Sequence, residues 1–212
     1  GEMIDRILIC GCARSGNTLM FSLIDTGFEN IVKVKGGPWG EQVPKEAVEG
    51  KVVVGKFPRK ASRLYKLMAD DLGIIYMMRD PRDVLVSKHF ERPRTYWTSV
   101  ERWIRTATVA LEYKDHPNVL LLKYEDLITK PNKAQKAMAE KFNLEAARKF
   151  EDCYESFDTK DKYNAKTMNG IRPLDKSRIG AWKDGYLNEK FINRLMKNSE
   201  MTDLMKCFDY LD

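Results

Sequence analysis

The sequence predicts an α/β fold of three layers, with a mostly parallel central sheet flanked by helices. Short apolar runs alternate with segments of helical periodicity, an order that builds parallel sheets covered on both faces. The first apolar run, Arg6–Cys10, leads into a glycine-containing loop and then a helix, the opening of an α/β phosphate-binding unit. Two later helices open with proline, which is pre-set for the first helical turn and loses no hydrogen bond there.

The elements follow in order. Thr18–Ile24 reads as the first helix and Val52–Gly55 as a second buried strand. Ser62–Leu72 reads as an amphipathic helix and Ile74–Met78 as a third strand, after which Pro81 starts a helix. Trp97–Lys114 has apolar residues near helical spacing, Val119–Tyr124 is a fourth strand, and Pro131–Phe142 is a helix. Asp158–Asp175 is polar and broken by Gly170 and Pro173, so a surface loop or lid is expected; Asn188–Asn198 reads as the final helix. No repeat or low-complexity linker divides the chain, and residues 1–212 read as one domain. A ligand of such a sheet sits beyond the carboxyl ends of its strands.

The composition sets limits. A chain of 212 residues, 43% of them hydrophobic, can bury a substantial core and is not a disordered tail. A net charge of +6 favours anionic partners without choosing among nucleotide, nucleic acid, acidic sugar and membrane; a solvated basic surface explains it equally well. Against nucleic acid, there is no recognisable binding motif and 31 acidic residues are interspersed with the basic ones. Cys10, Cys12, Cys153 and Cys207 form neither a CxxC metal pattern nor a disulfide framework, so a reduced, cytoplasmic protein without a metal site is expected. No apolar run reaches membrane-spanning length and no signal peptide is read. Gly1-Glu2 ahead of Met3 reads as a cloning remnant, which leaves a removed leader or anchor open.

Two loops carry the chemistry. Gly11-Cys12-Ala13-Arg14-Ser15-Gly16-Asn17-Thr18 follows the first strand and matches the P-loop pattern G-x-x-x-x-G-K-[ST], except that Asn17 stands at the lysine position. Glycine still allows close backbone approach, and the helix N-terminus still presents N–H groups to an anion. Arg14 is the candidate for the missing charge. A nucleoside triphosphatase normally needs that lysine on its terminal phosphates, so a kinase or ATPase is the less favoured reading. The alternative is a strand–turn–helix corner with no ligand. The second loop, Arg79-Asp80-Pro81-Arg82-Asp83-Val84-Leu85-Val86-Ser87, puts Arg79 at the end of the third strand and Ser87 eight residues later, a cation and a hydroxyl able to close on another phosphate. Taken alone, it reads equally as a capping Asp with surface arginines.

Together the loops resemble the sulfotransferase family, whose first loop reads like PKSGTTW and whose second reads like RxPRDVxVS. Ala13 through Leu19 is similar to the first, with Arg14 where many members carry lysine, and Arg79 through Ser87 to the second. Tyr124-Glu125-Asp126-Leu127 is similar to the family's YEDL segment, and Lys176 through Trp182 to its late basic-Gly-Trp segment. Asn188 through Phe191 continues the similarity. The resemblance implies a P-loop-like fold that binds 3′-phosphoadenosine 5′-phosphosulfate (PAPS), releases its desulfated product PAP, and transfers a sulfuryl group to a small-molecule or saccharide acceptor. It implies that Arg14, Ser15, Gly16, Asn17, Thr18 and Leu19 hold the 5′-phosphosulfate. Arg79, Ser87 and the segment of Ser177, Arg178 and Gly180 would hold the 3′-phosphate, with Tyr124 near the adenine.

The chain departs from the pattern in places. Leu19 replaces a tryptophan that stacks on adenine in many members. The family's Lys-Thr-His-Leu-Pro segment is best matched by Gly55-Lys56-Phe57-Pro58, with Lys56 at the histidine position. The two histidines, His89 and His116, read as structural and loop residues. Three readings of the base stay open: Lys56 with a depressed pKa, Lys56 as a second cation with Glu41 as base, or an acceptor acidic enough to need none. The second is favoured, although Glu41 reads equally well as a solvated loop carboxylate. Trp97, Trp103, Tyr96 and Phe57 read either as an acceptor pocket or as core. The dimer segment of cytosolic members is shortened, which leaves the oligomeric state undefined. A nucleotide-binding module without turnover is the remaining rival.

Overall fold

The computed structural model describes residues 3–34, 41–87, 98–158, 160, 162–168 and 170–212. Among the described residues five strands form one parallel sheet: β1 (Arg6–Gly11), β2 (Ile31–Lys33), β3 (Val52–Lys56), β4 (Leu72–Met78) and β5 (Val119–Lys123). Their order is β2-β3-β1-β4-β5. β1 is central, with its two later neighbours on opposite sides, which makes the end of β1 the switch point where doubly wound sheets open a crevice.

Alternation along the strands builds the three layers. Leu8 and Cys10 of β1, with Ile74 and Tyr76 of β4, face one core together with Trp103 and Ala107 of α3 (Val100–Tyr113) and Met205 of α8 (Ser199–Cys207). Ile7 and Ile9, with Ile75 and Met77, face the other, which holds Met20 and Ile24 of α1 (Asn17–Gly27) and Met138 and Phe142 of α5 (Pro131–Phe142). Both strands are apolar on both faces because both faces are covered. Trp103 is wholly buried and its indole N–H donates to the Arg79 carbonyl (3.2 Å), so it is core and not pocket. Trp97, Tyr96 and His89 lie outside the described residues. The His116 ring accepts the Asn118 N–H (3.1 Å), as a turn residue does.

Some expected elements change. The helix expected over Ser62–Leu72 is instead a 3₁₀ segment, Pro58–Lys66, interrupted at Arg63 (φ −128°). Leu72 is drawn into β4 by pairing opposite Arg6. The fourth strand stops at Lys123, because Tyr124–Thr129 turns into a short helix, α4. β2 was not visible in the pattern: three half-buried edge residues give no alternation to read. Pro81–Val86 forms α2, with Pro81 in the first turn and Asp80 as its cap, accepting the Arg82 N–H at 2.9 Å. The expected surface loop holds a short helix, α6 (Lys162–Thr167). The last expected helix is Tyr186–Leu195, α7, and Asn198 caps the further helix α8 by accepting the Met201 N–H at 3.1 Å. No helix among the described residues is long and apolar enough to cross a membrane.

Candidate active site

Strand register brings distant residues to one edge. Ile9 lies opposite Lys56, Gly11 opposite Met77, and Met78 opposite Lys123. The first loop, Lys56, Arg79 and Tyr124 therefore all emerge at the carboxyl end of the sheet, around the switch point. They border one cleft of about 1060 Å³ of empty space, counted to its open mouth. Among the described residues five cations line it, Arg14, Lys56, Arg79, Arg172 and Arg178, against two carboxylates, Glu41 and Asp175. Low-dielectric walls concentrate such an excess, so the cleft is built for an anion.

The first loop needs its glycines. Gly11 has φ 146° and a Cβ there would stand 2.3 Å from the Met77 carbonyl oxygen, so only glycine lets β1 leave the sheet at this point. Gly16 has φ 91°, and its Cβ would meet the Tyr124 ring at 3.0 Å. The first intrahelical bond of α1 runs from the Met20 N–H to the Gly16 carbonyl (2.9 Å), so the N–H groups before Met20, on residues that line the cleft, have no intrahelical acceptor. Gly16→Ala is expected to lower both thermal stability and anion affinity, since it strains φ and crowds Tyr124. Unchanged phosphate-ligand affinity in calorimetry would show that the loop geometry is not what binds.

Asn17 does not replace the P-loop lysine. Its side-chain amide donates to the Cys12 carbonyl (3.1 Å) and so ties the loop to itself. The positive charge comes from the neighbouring strand instead. Lys56, 4% exposed at the end of β3, donates its ammonium to Thr18 Oγ1 at 3.0 Å. In Mg²⁺-dependent P-loop enzymes that hydroxyl serves the metal; here it receives an ammonium. Among the described residues no group of three or more His, Cys, Asp or Glu could hold a metal ion.

Arg14 adopts φ 66° and donates through Nε to Ser87 Oγ (3.1 Å) and through Nη1 to the Thr167 carbonyl (2.7 Å). The structure thus joins Arg14 and Ser87, which the sequence had assigned to opposite ends of the ligand. Arg79, 7% exposed, donates to the carbonyls of Arg14 (2.9 Å) and Arg178 (3.0 Å), and its guanidinium lies 4.2 Å from the centre of the Tyr124 ring. The pairing leaves Arg79 Nε buried without a hydrogen-bond partner among the described residues, a donor that a bound phosphate oxygen would satisfy. Burial pushes the Tyr124 hydroxyl up from its ordinary pKa, so it stays a neutral donor.

Other candidates take different places. Leu19 lines the cleft. Ser15, within the loop, is fully buried, and its hydroxyl has no hydrogen-bond partner among the described residues. Ser177 donates its N–H and its hydroxyl to Asp175, both at 2.8 Å, and these bonds hold the Asp175 carboxyl below its usual range. Gly180 turns the chain in a left-handed conformation (φ 75°) and donates its N–H to Asp83. Glu41 borders the cleft while accepting a hydrogen bond from Arg59 (3.1 Å); Gly36–Gly40 of its loop lies outside the described residues. Phe57 is half-buried under the Arg59 and Lys60 cations.

Sequence reasoning missed Arg172, Met168 and Leu174, which line the cleft from the stretch expected to be a surface loop or lid. The signal was weak: a cation beside a proline in a polar, irregular segment has no periodicity to place it.

Comparison with known proteins bears on the family and the fold. The family model described as "Sulfotransferase domain" matches residues 4–201. Human Sulfotransferase 4A1 is 26% identical over 186 residues, 72% of this chain. The match spans 60% of that relative's length. Among solved structures, the sulfotransferase domain from the curacin biosynthetic pathway superposes with a TM-score of 0.69 at 14% identity, covering 100% of this chain and 99% of that one. Retinol dehydratase, solved with retinol and PAP, superposes with a TM-score of 0.58 at 15% identity, covering 97% of this chain and 82% of the other. At those identities the superpositions speak to the fold, a P-loop-like parallel sheet, while the family model spans nearly the whole sequence. The chain belongs to the sulfotransferase domain family.

Proposed function

We propose that this protein is a cytoplasmic enzyme that transfers a sulfuryl group from PAPS to an acceptor hydroxyl or amine. The observation that carries the proposal is one cleft whose described lining is strongly cationic, with Lys56 beside the first loop and Arg79 tied to the Arg178 segment. A ligand with separate 5′ and 3′ anionic groups matches it; a nucleoside triphosphate, with one phosphate chain and a bound metal, matches it less well. Arg79 Nε and the Gly16 cradle are the features that fit a phosphate.

PAPS supplies the sulfuryl group and the leaving phosphate. The chain supplies position and charge. The first-turn N–H groups of α1 and the Lys56 ammonium hold the 5′ end, and Lys56 is already oriented by Thr18. Arg14 adds charge near the same loop, and Arg79 and Arg178 face the 3′ end. Tyr124 sets the spacing between the two ends by packing against both Gly16 and Arg79. Glu41, bordering the cleft, is the candidate base for an acceptor proton. A small-molecule or saccharide acceptor is consistent with a cleft open to solvent.

PAP is expected to raise the melting temperature more than ATP with Mg²⁺, by ordinary binding linkage. Equal or greater stabilisation by ATP would support a kinase-like protein instead. A screen of acceptors with labelled PAPS tests turnover, and tight PAP binding with no transfer to any acceptor would reduce the protein to a nucleotide-binding module.

A further inference from the structure

We propose that Asp83 is a positioning residue for recognition of the 3′-phosphate: it acts by holding the Arg178 segment against the cleft. This rests on the PAPS reading above and adds to it a residue that does not line the cleft.

Arg178 lies in a single 3₁₀ turn, Lys176–Arg178, followed by another, Ala181–Lys183. Such short turns carry few bonds of their own, so something outside must fix them. That support comes from the chain between Arg79 and Asp83. Asp83 is 4% exposed on α2, and both of its carboxylate oxygens accept backbone N–H groups, from Gly180 at 2.9 Å and from Trp182 at 3.0 Å. One residue earlier, Arg82 lies 4.4 Å from the centre of a Trp182 ring while its guanidinium is gripped by Asp80. Arg79 takes the Arg178 carbonyl at 3.0 Å. Three side chains of one five-residue stretch therefore hold residues 178, 180 and 182. The left-handed Gly180 directs its N–H to Asp83 within this arrangement.

The charge argument points the same way. A carboxylate this close to Arg79 opposes the binding of an anion by that arginine. Burial also pushes the Asp83 carboxyl up from its ordinary range, although the two N–H groups oppose that. Asp83 thus weakens the local field, and its contribution to recognition lies in the two backbone groups that it fixes. An ionised acceptor makes the stronger kind of hydrogen bond, and here both oxygens are used.

The test is calorimetric binding of PAP and of adenosine 5′-monophosphate, which lacks the 3′-phosphate. The readout is the ratio of their dissociation constants. Asp83→Asn swaps one accepting oxygen for an NH₂ facing an N–H. It is expected to lower the preference for PAP about 10-fold while adenosine 5′-monophosphate affinity stays within about 2-fold. In an Arg178→Ala background the same change is expected to have no further effect on the preference, because the two residues act as one unit. An unaltered preference in Asp83→Asn overturns the proposal, and so does an equal loss in both backgrounds. If Asp83→Asn does not fold, Gly180→Ala serves: a Cβ there has room but the left-handed φ is strained, so the segment shifts with Asp83 intact. The same loss of preference is expected, and an unaltered preference again overturns the proposal. Wild-type protein that binds both nucleotides equally would overturn the PAPS reading, and Asp83's role with it. A wild-type preference that Asp83→Asn leaves intact overturns only the role of Asp83.

Discussion

Arg79→Ala is expected to weaken PAP binding by on the order of 2–4 kcal/mol, roughly 30- to 1000-fold in Kd. The residue is buried in the cleft wall, and its Nε has no hydrogen-bond partner among the described residues. Its other two nitrogens hold the Arg14 and Arg178 carbonyls. On the PAPS reading, removing the guanidinium takes away a phosphate contact and loosens the two segments that its other nitrogens hold. Affinity for adenosine 5′-monophosphate is expected to fall as well, but by less, through the loss of the Arg14 contact. Calorimetry with both nucleotides measures the difference. Equal losses would mean that Arg79 serves only to hold the two loops together.

Lys56→Met is expected to lower turnover by about 10²- to 10³-fold at every pH, the usual effect of removing one pre-organised charge or donor from a reacting site. Methionine keeps much of the buried stem, so packing is largely retained. Charge grows on the leaving phosphate as the sulfuryl group departs, and an ammonium fixed by Thr18 stabilises that charge without reorganising. PAP affinity is expected to change less than turnover. Glu41→Gln is expected to behave differently: it should retain PAP binding, lower turnover and change the shape of the pH–rate profile, as loss of a general base does. A fully active Glu41→Gln with an unaltered profile would remove Glu41 as the base. An active Lys56→Met would move the principal cation to Arg14.

The fold was legible where the chain repeats a physical pattern. β1, β3, β4, α1, α3 and α5 announce themselves by apolar runs, helical spacing or proline starts, and each is present within a few residues of its expected bounds or overlaps them. The misses fall where local propensity was overruled by pairing or was too short to read. Leu72 joined a strand because Arg6 lay opposite it. Tyr124 left its strand because helix α4 starts there. β2 is an edge strand of three residues, and α8 follows α7 after a break of only a few residues.

The sequence by itself determined the two family loops and their order. Glycines at positions 11 and 16, a proline-started turn after Arg79 and the late basic segment are local features, written in consecutive residues, and they suffice to identify the family. Only the tertiary structure decided which side chains work together. Asn17, at the lysine position, turns back to its own loop, while Lys56 arrives from another strand to meet Thr18, 38 residues away in the chain. Arg14 joins Ser87 across 73 residues, and Asp83 reaches Gly180 across 97. The reason is physical. Loop conformation depends on the φ and ψ that each residue allows, which neighbours in sequence reveal. Partnership in a cleft depends on sheet register and crossover direction, which are set by burying both faces of the sheet at once and leave no mark at any single position.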